Sequence, residues 1–183
     1  MSFGFPPRTK CLDPIHRAIL AADAECVVLF AAARNGGGMK RIAYPADQPE
    51  VICVNSTDGE GNRSHFNPSP EYGKRLSTLG EDVLSSWPGG VPQRKSGTSY
   101  ATPIAAGIAG IVMDYVMQRS KNWTEEEQYI ASKIRGRTGI LAVMEKHLSR
   151  ERDGFRFLAP WEFFCKDNVG EIDKVLLHTL RTV

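Results

Sequence analysis

A serine that follows a flexible Gly-Thr pair is the residue whose setting best suits chemistry. Ser99 is followed by a long run of small and apolar residues with almost no charge before Asp114. The run is too long for one buried strand and is rich in alanine, which predicts a buried helix. Ser99 would then lie at the N-terminus of that helix, where unpaired N–H groups and the helix dipole favour negative charge on a reacting oxygen.

Position alone favours a structural role for Ser99, because serine is a common helix cap. Pro103 agrees with a helix start near Ser99, since proline is tolerated in the first turn. Gly107 and Gly110 would keep one side of the helix narrow, which suits close packing against a sheet. A chemical role for Ser99 therefore depends on the residues around it.

The string around Ser99 resembles the nucleophile motif of the subtilisin-like serine proteases. Residues 97–103 read Gly-Thr-Ser-Tyr-Ala-Thr-Pro, and the family pattern is Gly-Thr-Ser-x-Ala-(Ser/Thr)-Pro. This pattern is long and specific, unlike a bare Gly-x-Ser-x-Gly. The resemblance implies a serine endopeptidase in which Ser99 attacks a peptide carbonyl and forms an acyl-enzyme.

Two segments near the N-terminus carry the same resemblance. Residues 27–35 look like the family strand that ends in Ala-Ala-x-Asn, which implies that the Asn35 side chain and the Ser99 N–H hold the oxyanion. Residues 2–4 look like the family's Ser-x-Gly segment, which pairs with the substrate backbone and lines the primary specificity pocket. The resemblance implies these substrate-binding residues: Ser2, Phe3, Gly4, Ala32, Ala33, Arg34 and Thr98.

Arg34 departs from the family, which has a small residue before the oxyanion asparagine. Beside a specificity pocket, Arg34 would block the site or favour acidic substrate side chains through a bidentate contact. The alternative is that it turns outward to solvent. Asn35 also has a plainer interpretation, as a loop residue in a tight Asn-Gly turn, which would be preferred if Ser99 were absent.

The catalytic base is the difficulty. A serine hydroxyl is a poor nucleophile until a histidine takes its proton, and that histidine needs a carboxylate to orient it. In the family both lie upstream of the Ser-x-Gly segment. Here no aspartate has the Asp-(Ser/Thr)-Gly context, and Asp58 is interpreted as part of a turn. None of the histidines lies in a His-Gly-Thr type of motif, and each is interpreted as a surface or capping residue: His16, His65, His147 and His178.

The elements that must position Asn35 and Ser99 follow from hydrophobic patterns. Residues 14–24 have helical spacing, and apolar runs without alternation at 27–33 and 51–54 are typical of strands buried on both faces of a parallel sheet. Further strands are predicted at 75–79 and 83–90. This alternation indicates an α/β fold with three layers, α/β/α, around a mostly parallel sheet, subtilisin-like with its N-terminal strands missing. Functional residues gather at the carboxyl ends of such strands.

The chain is predicted to divide near residue 118. Residues 1–118 would form the C-terminal part of a subtilisin-like peptidase domain, and residues 119–183 a helical extension that packs on it. A capping box at Thr124 predicts a helix to about Arg135. Another helix, separated from it by Gly136 and Gly139, is expected to end near Leu148, and a last one covers residues 171–182, with a mixed segment at 149–170.

Composition excludes several classes of protein. The 183 residues, 42% hydrophobic and 24% charged, are ordinary for a soluble globular protein. A net charge of +2 does not indicate binding to nucleic acid or a membrane. The cysteines are scattered, so no metal is expected, and no other cofactor is predicted. A reducing, cytoplasmic compartment is favoured, with Cys26 and Cys53 as buried thiols.

Two functions from different classes stay open. The first is a serine endopeptidase acting on a peptide or protein substrate, truncated here and inactive until the upstream part of the same domain is supplied. Residues 147–164 resemble the corresponding segment of the intracellular fungal subtilisin-like proteases more than that of other members of the family. The second is a non-catalytic remnant that binds an extended peptide or protein segment by strand addition along residues 2–4. Losing the earlier strands would also expose an edge of an apolar sheet.

Overall fold

The computed structural model of this chain describes residues 1–7, 9–165 and 169–183. Its strands are β1 (Leu29–Ala32), β2 (Val51–Thr57), β3 (Leu76–Leu79), β4 (Val83–Ser85), β5 (Gln93–Lys95), β6 (Ser149–Arg152) and β7 (Phe155–Leu158). Five of them form one sheet in the order β1-β2-β3-β7-β6, in which only the β6–β7 pair is antiparallel. β4 and β5 form a separate antiparallel hairpin. The predicted α/β class with a mostly parallel sheet is confirmed.

The described helices pack around this sheet. They are α1 (Asp13–Ala24), α2 (Thr98–Ser120), α3 (Glu125–Ser132), α4 (Arg137–Lys146), α5 (Pro160–Phe164) and α6 (Val169–Arg181). Two of the predicted helix starts are confirmed: α1 begins with a proline in its first turn, and α3 begins with the capping box between Thr124 and Glu127.

Two cores lie on opposite faces of β1 and β2. Phe30, Ile52 and Val54 pack against α2 and against side chains of α3, α4 and α6. The alternate residues Ala31 and Cys53 pack against α1 through Ile19. Because neighbouring residues in a strand point to opposite faces, each strand serves both cores, which explains why their sequences are apolar without alternation.

The helix that carries Ser99 is held against the sheet by small side chains. Ala101, Ala105 and Ala109 are buried there and are continued by Val112 and Val116. This helix is long and apolar enough to cross a membrane, but the core helices of soluble proteins can have the same length and composition. Buried alanines allow the helix backbone to lie close to the strands.

The predicted role of the α2 glycines is wrong. Gly107 and Gly110 do not face the sheet: both are exposed, and a carbon added at either position would meet nothing within 4 Å. Ile111 on the same side is 72% exposed. The side of α2 that carries the two glycines therefore faces away from the sheet and is exposed.

Residues 119–183 contribute strands as well as helices. β6 and β7 form a hairpin through Asp153 and Gly154, both with positive φ, and β7 joins the main sheet beside β3. β6 was not predicted because its residues are charged and show no hydrophobic pattern. Charged residues are nevertheless common on edge strands, and β6 lies at the edge of the sheet. The Asp-Gly pair was the available signal for a two-residue hairpin turn.

Two local expectations also differ from the structure. β2 continues to Thr57, because two of its buried polar side chains find partners. Asn55 donates to the carbonyls of Lys74 and Leu76 at 2.9 and 3.1 Å, and Ser56 Oγ accepts from Ser64 Oγ at 2.8 Å. Cys26, predicted to be buried, is exposed just beyond the end of α1, whereas Cys53 is buried as predicted.

The C-terminal helix is tied to α2 by charge as well as by packing. Arg119 donates two hydrogen bonds to Asp173 Oδ2, at 3.1 Å from Nε and 2.6 Å from Nη2. Asp173 is 6% exposed, so these two charge-assisted bonds also satisfy a buried carboxylate.

Gly139, predicted to separate two helices, instead lies in the first turn of α4. We expect Gly139→Ala to lower the free energy of unfolding by about 2 kcal/mol, because its methyl group would collide with the carbonyl oxygen of Lys133. The matched control is Gly110→Ala, which has open space in α2 and should raise the free energy of unfolding by about 0.5–1 kcal/mol. Urea unfolding followed by circular dichroism measures both, and equal effects would contradict the close approach at α4.

Candidate active site

A cleft lies where β1 ends and α2 begins. Its volume is about 220 Å³, and one wall is formed by the N-terminal segment. The lining residues are Phe3, Gly4, Phe5, Pro6, Ala32, Arg34, Asn35, Ala43, Thr98 and Ser99. The carboxyl end of a parallel strand and the N-terminus of the next helix thus meet at one edge of the sheet.

Ser99 lies in the first turn of α2 and is bound to the N-terminal segment. Its Oγ donates to the carbonyl oxygen of Ser2 at 3.1 Å, and Ser2 Oγ donates to the carbonyl oxygen of Ser99 at 3.0 Å. The pair joins residues 97 positions apart in the chain. The Ser99 proton is therefore directed at a carbonyl oxygen, which holds it in place but does not remove it.

Asn35 is fixed against the start of the same helix. Its Oδ1 accepts from the backbone N–H and from the hydroxyl of Thr98, each at 2.9 Å. Thr98 is buried, so these two bonds satisfy donors that have little access to water. With Oδ1 engaged in this way, the Nδ2 group is left as the donor of the amide.

The approach of Asn35 to α2 requires glycine at position 97. A side-chain carbon there would lie 2.9 Å from Asn35 Nδ2. The backbone of Gly97 is in turn anchored by its N–H, which donates to the carbonyl of Gly80 at 2.8 Å. The Gly-Thr pair before Ser99 thus serves to seat Asn35, in addition to making the entry to the helix flexible.

Two donors at the cleft have no protein acceptor among residues 1–7, 9–165 and 169–183. They are Asn35 Nδ2 and the backbone N–H of Ser99, the latter in the first turn of α2. Amides in the first turn of a helix have no acceptor within the helix, and the helix dipole makes the region positive. Such an arrangement can stabilise negative charge on an oxygen.

The histidines do not contribute to this cleft. His147 is paired with Thr179 at 2.6 Å, and His65 packs edge-on against Phe66. His16 lies in α1 and His178 in α6. In the part of the chain that the structure describes, Ser99 Oγ therefore has a carbonyl partner and no imidazole.

The other predicted site residues fall into three groups. Phe3, Gly4, Ala32, Arg34 and Thr98 line the cleft. Ser2 contacts Ser99, as described above. Ala33 is fully buried and does not line the cleft; its N–H donates to the carbonyl of Val54.

Three lining residues were not predicted: Phe5, Pro6 and Ala43. Ala43 reaches the cleft because its N–H donates to the carbonyl of Ala33 at 2.9 Å. Phe5 pairs with Tyr44 by backbone hydrogen bonds. Their positions depend on backbone pairing between segments that are distant in the chain, and no sequence pattern indicates that pairing.

Two other kinds of chemistry find no support near the site. Burial raises the pKa of the Cys53 thiol to about 12, so this cysteine is protonated at neutral pH and is not a nucleophile. Among the described residues, no group of three or more His, Cys, Asp or Glu side chains could hold a metal ion.

Comparison with known proteins identifies related sequences and folds. The chain matches the subtilase family over residues 1–151. Subtilisin BL of Lederbergia lenta is 32% identical over 126 residues, covering 68% of this chain and 43% of that protein. An intracellular serine protease of Paenibacillus polymyxa is 34% identical over 134 residues, covering 70% of this chain and 40% of that protein.

A solved structure extends the similarity to most of the fold. Prenylagaramide maturation protease PagA superposes with a TM-score of 0.66 over 96% of this chain and 60% of its own chain, at 23% identity. At this identity the likeness concerns the fold alone. The present chain spans less than half of the length of the two relatives named above. Matched relatives are both bacterial and fungal, so the fungal assignment stays a prediction.

The two ends of the Asn35 amide can be tested separately. Asn35→Ala should lower the free energy of unfolding by about 1–2 kcal/mol, because the buried Thr98 donors lose their acceptor. Asn35→Asp keeps an oxygen in that place and puts negative charge at a helix N-terminus, so its stability should stay within about 0.5 kcal/mol of the natural chain. Thermal unfolding at neutral pH measures both, and equal losses would contradict the anchoring role of Oδ1.

Proposed function

This chain belongs to the subtilase family, and from that premise we propose that it carries the nucleophile and the oxyanion site of a serine endopeptidase. The observation that carries the proposal is the meeting of Ser99 and Asn35 in one cleft, with Asn35 seated on the residue that precedes Ser99. Family membership supports hydrolysis of peptide bonds as the reaction. The proposed substrate is a peptide or protein segment lying along the cleft.

The proposed reaction begins at Ser99. Its Oγ attacks the carbonyl carbon of the substrate while a base takes the hydroxyl proton. The C–N bond then breaks, the base gives the proton to the leaving amine, and the acyl group stays on Ser99. Water attacks the acyl-enzyme in the second half of the reaction and releases the acid. In this scheme Asn35 Nδ2 and the Ser99 N–H hold the negative oxygen that forms in each half.

In this proposal the base comes from outside the residues that the structure describes, on a further segment of a longer product. Ser99 Oγ donates to the Ser2 carbonyl, and no histidine lines the cleft among the described residues. The relatives are more than twice as long as the matched part, which leaves ample length for an aspartate and a histidine. The exposed side of α2, around Gly107 and Ile111, is the surface on which such a segment would pack.

The compartment is a further part of the proposal. Similarity to an intracellular serine protease supports a cytoplasmic location. The unpaired state of the cysteines fits a reducing environment as well. The division at residue 118, with residues 1–118 as the peptidase part, and the intracellular fungal type belong to the same proposal.

A second candidate function is favoured by the N-terminal segment. Phe3 and Gly4 are exposed beside the cleft, and their backbone groups make no hydrogen bond to another described residue. An extended peptide could pair with them as an added strand. Such binding needs no catalytic base, so a chain that lacks one could still act as a peptide-binding module.

The isolated chain should not behave as a protease. We expect a fluorophosphonate probe to label Ser99 much more slowly than it labels the nucleophile of an active serine protease. The reason is that the Ser99 hydroxyl proton has no base to accept it. Mass spectrometry of the labelled peptide measures the rate. Ser99→Ala gives the background, and rapid labelling of Ser99 would show that a base is present after all.

The endopeptidase itself is tested in a longer product. If the transcript upstream of Met1 encodes the aspartate and histidine motifs, that polypeptide should hydrolyse peptides. Ser99→Ala should then abolish turnover, and Asn35→Ala should lower kcat by about 10²–10³. Ser96→Ala is the matched control, since Ser96 is exposed and accepts only from the Asp82 N–H among described residues. A Ser99→Ala enzyme that still turns over would exclude Ser99 as the nucleophile.

A further inference from the structure

We propose that Arg34 makes the cleft selective for substrates with a glutamate or aspartate side chain next to the cleaved bond. The inference rests on the proposed function, because it assigns a substrate class to the same cleft. Arg34 precedes Asn35 directly and lines the cleft together with Ser99. A carboxylate bound to Arg34 would therefore lie beside the carbonyl that Ser99 attacks.

Arg34 is the charged side chain among the residues that line this cleft. The neighbouring walls are apolar or uncharged and are formed by Phe3, Gly4, Phe5, Pro6, Ala32 and Ala43. A partly buried cation attracts an anion more strongly than a cation in open water, because the surroundings screen the charge less. The apolar walls suit the methylene part of a glutamate side chain.

The Arg34 guanidinium has no acidic partner in the part of the chain that the structure describes. Within residues 1–7, 9–165 and 169–183, Arg34 makes no ion pair, although it is half-buried. Other arginines of the chain do pair, as Arg119 does with Asp173. A planar guanidinium can bind a carboxylate through two parallel hydrogen bonds, and this capacity is unused at Arg34.

A second basic side chain, that of Lys40, passes close to Arg34. A side-chain carbon at Gly36 would lie 3.3 Å from Arg34 Nε and 3.0 Å from Lys40 Cγ. The two basic side chains therefore pass over the same glycine, and neither is neutralised by a described carboxylate. Two basic side chains on the same short segment raise the local positive potential, which favours the approach of an anion.

Binding by the 183-residue Ser99→Ala chain tests the inference without turnover. The probes are acetyl-Ala-Ala-Pro-X-Ala-Ala-amide peptides, with X as Glu, Gln or Phe and both ends uncharged. We expect the Glu peptide to bind about tenfold more tightly than the Gln peptide in calorimetry or NMR titration. Arg34→Gln should remove this preference, and Arg34→Lys should keep part of it, because the charge remains but the planar fork is lost.

Two further arms make the result specific. Arg41→Gln removes the same charge from a residue that lines a different pocket, beside Asp47 and Lys74, and should leave the preference unchanged. A peptide ending in Gln with a free terminal carboxylate shows whether Arg34 binds the end of a chain instead of a side chain. If that peptide matches the Glu peptide and depends on Arg34, the proposed side-chain selectivity is overturned.

Other outcomes also have a definite meaning. Equal binding of the Glu and Gln peptides, no binding of any peptide, or a preference that survives Arg34→Gln would overturn the inference. Because the Ser99→Ala variant used for binding lacks the nucleophile, none of these results depends on Ser99 chemistry. Failure of the proposed endopeptidase appears separately, in the turnover of the longer product.

Discussion

The close packing of α2 on the parallel sheet is the constraint on which the rest of the structure depends. Alanines on one side of α2 allow its backbone to approach the strands. The first turn of the helix then lies at the carboxyl edge of the sheet, where β1 also ends. Residues that are 63 positions apart, Asn35 and Thr98, can meet there. Larger side chains on the buried face would move the helix outward and separate them.

The site separates two tasks that a serine protease must combine. Stabilising an oxyanion needs donors that are already oriented, and Asn35 and the first turn of α2 are held in this way by their own hydrogen bonds. Activating the nucleophile needs a base, and the Ser2 carbonyl that Ser99 contacts cannot act as one. In the proposed reaction the described part of this chain supplies the first task, and the second is assigned to residues of a longer product. At the edge of β1, Met1 extends the backbone pairing through hydrogen bonds with Phe30 and Ala32.

Much of the architecture could be predicted from local patterns. The apolar runs of β1 and β2, the proline in the first turn of α1 and the capping box of α3 each express a short-range preference. Two features were not predicted, because their stability comes from partners that are distant in the sequence. β6 is charged and owes its place to pairing with β7. The polar end of β2 is stabilised by side-chain hydrogen bonds to other segments.

By itself, the sequence determined the mostly parallel α/β class, the helix that begins near Ser99 and the family whose motif surrounds that serine. These follow from periodicity and from a string of residues with specific conformational needs. Only the tertiary structure decided which side of α2 is open, that Ala43 completes the cleft and that Arg34 lines it. A linear pattern does not specify these features, because each depends on how segments far apart in the chain pack against one another.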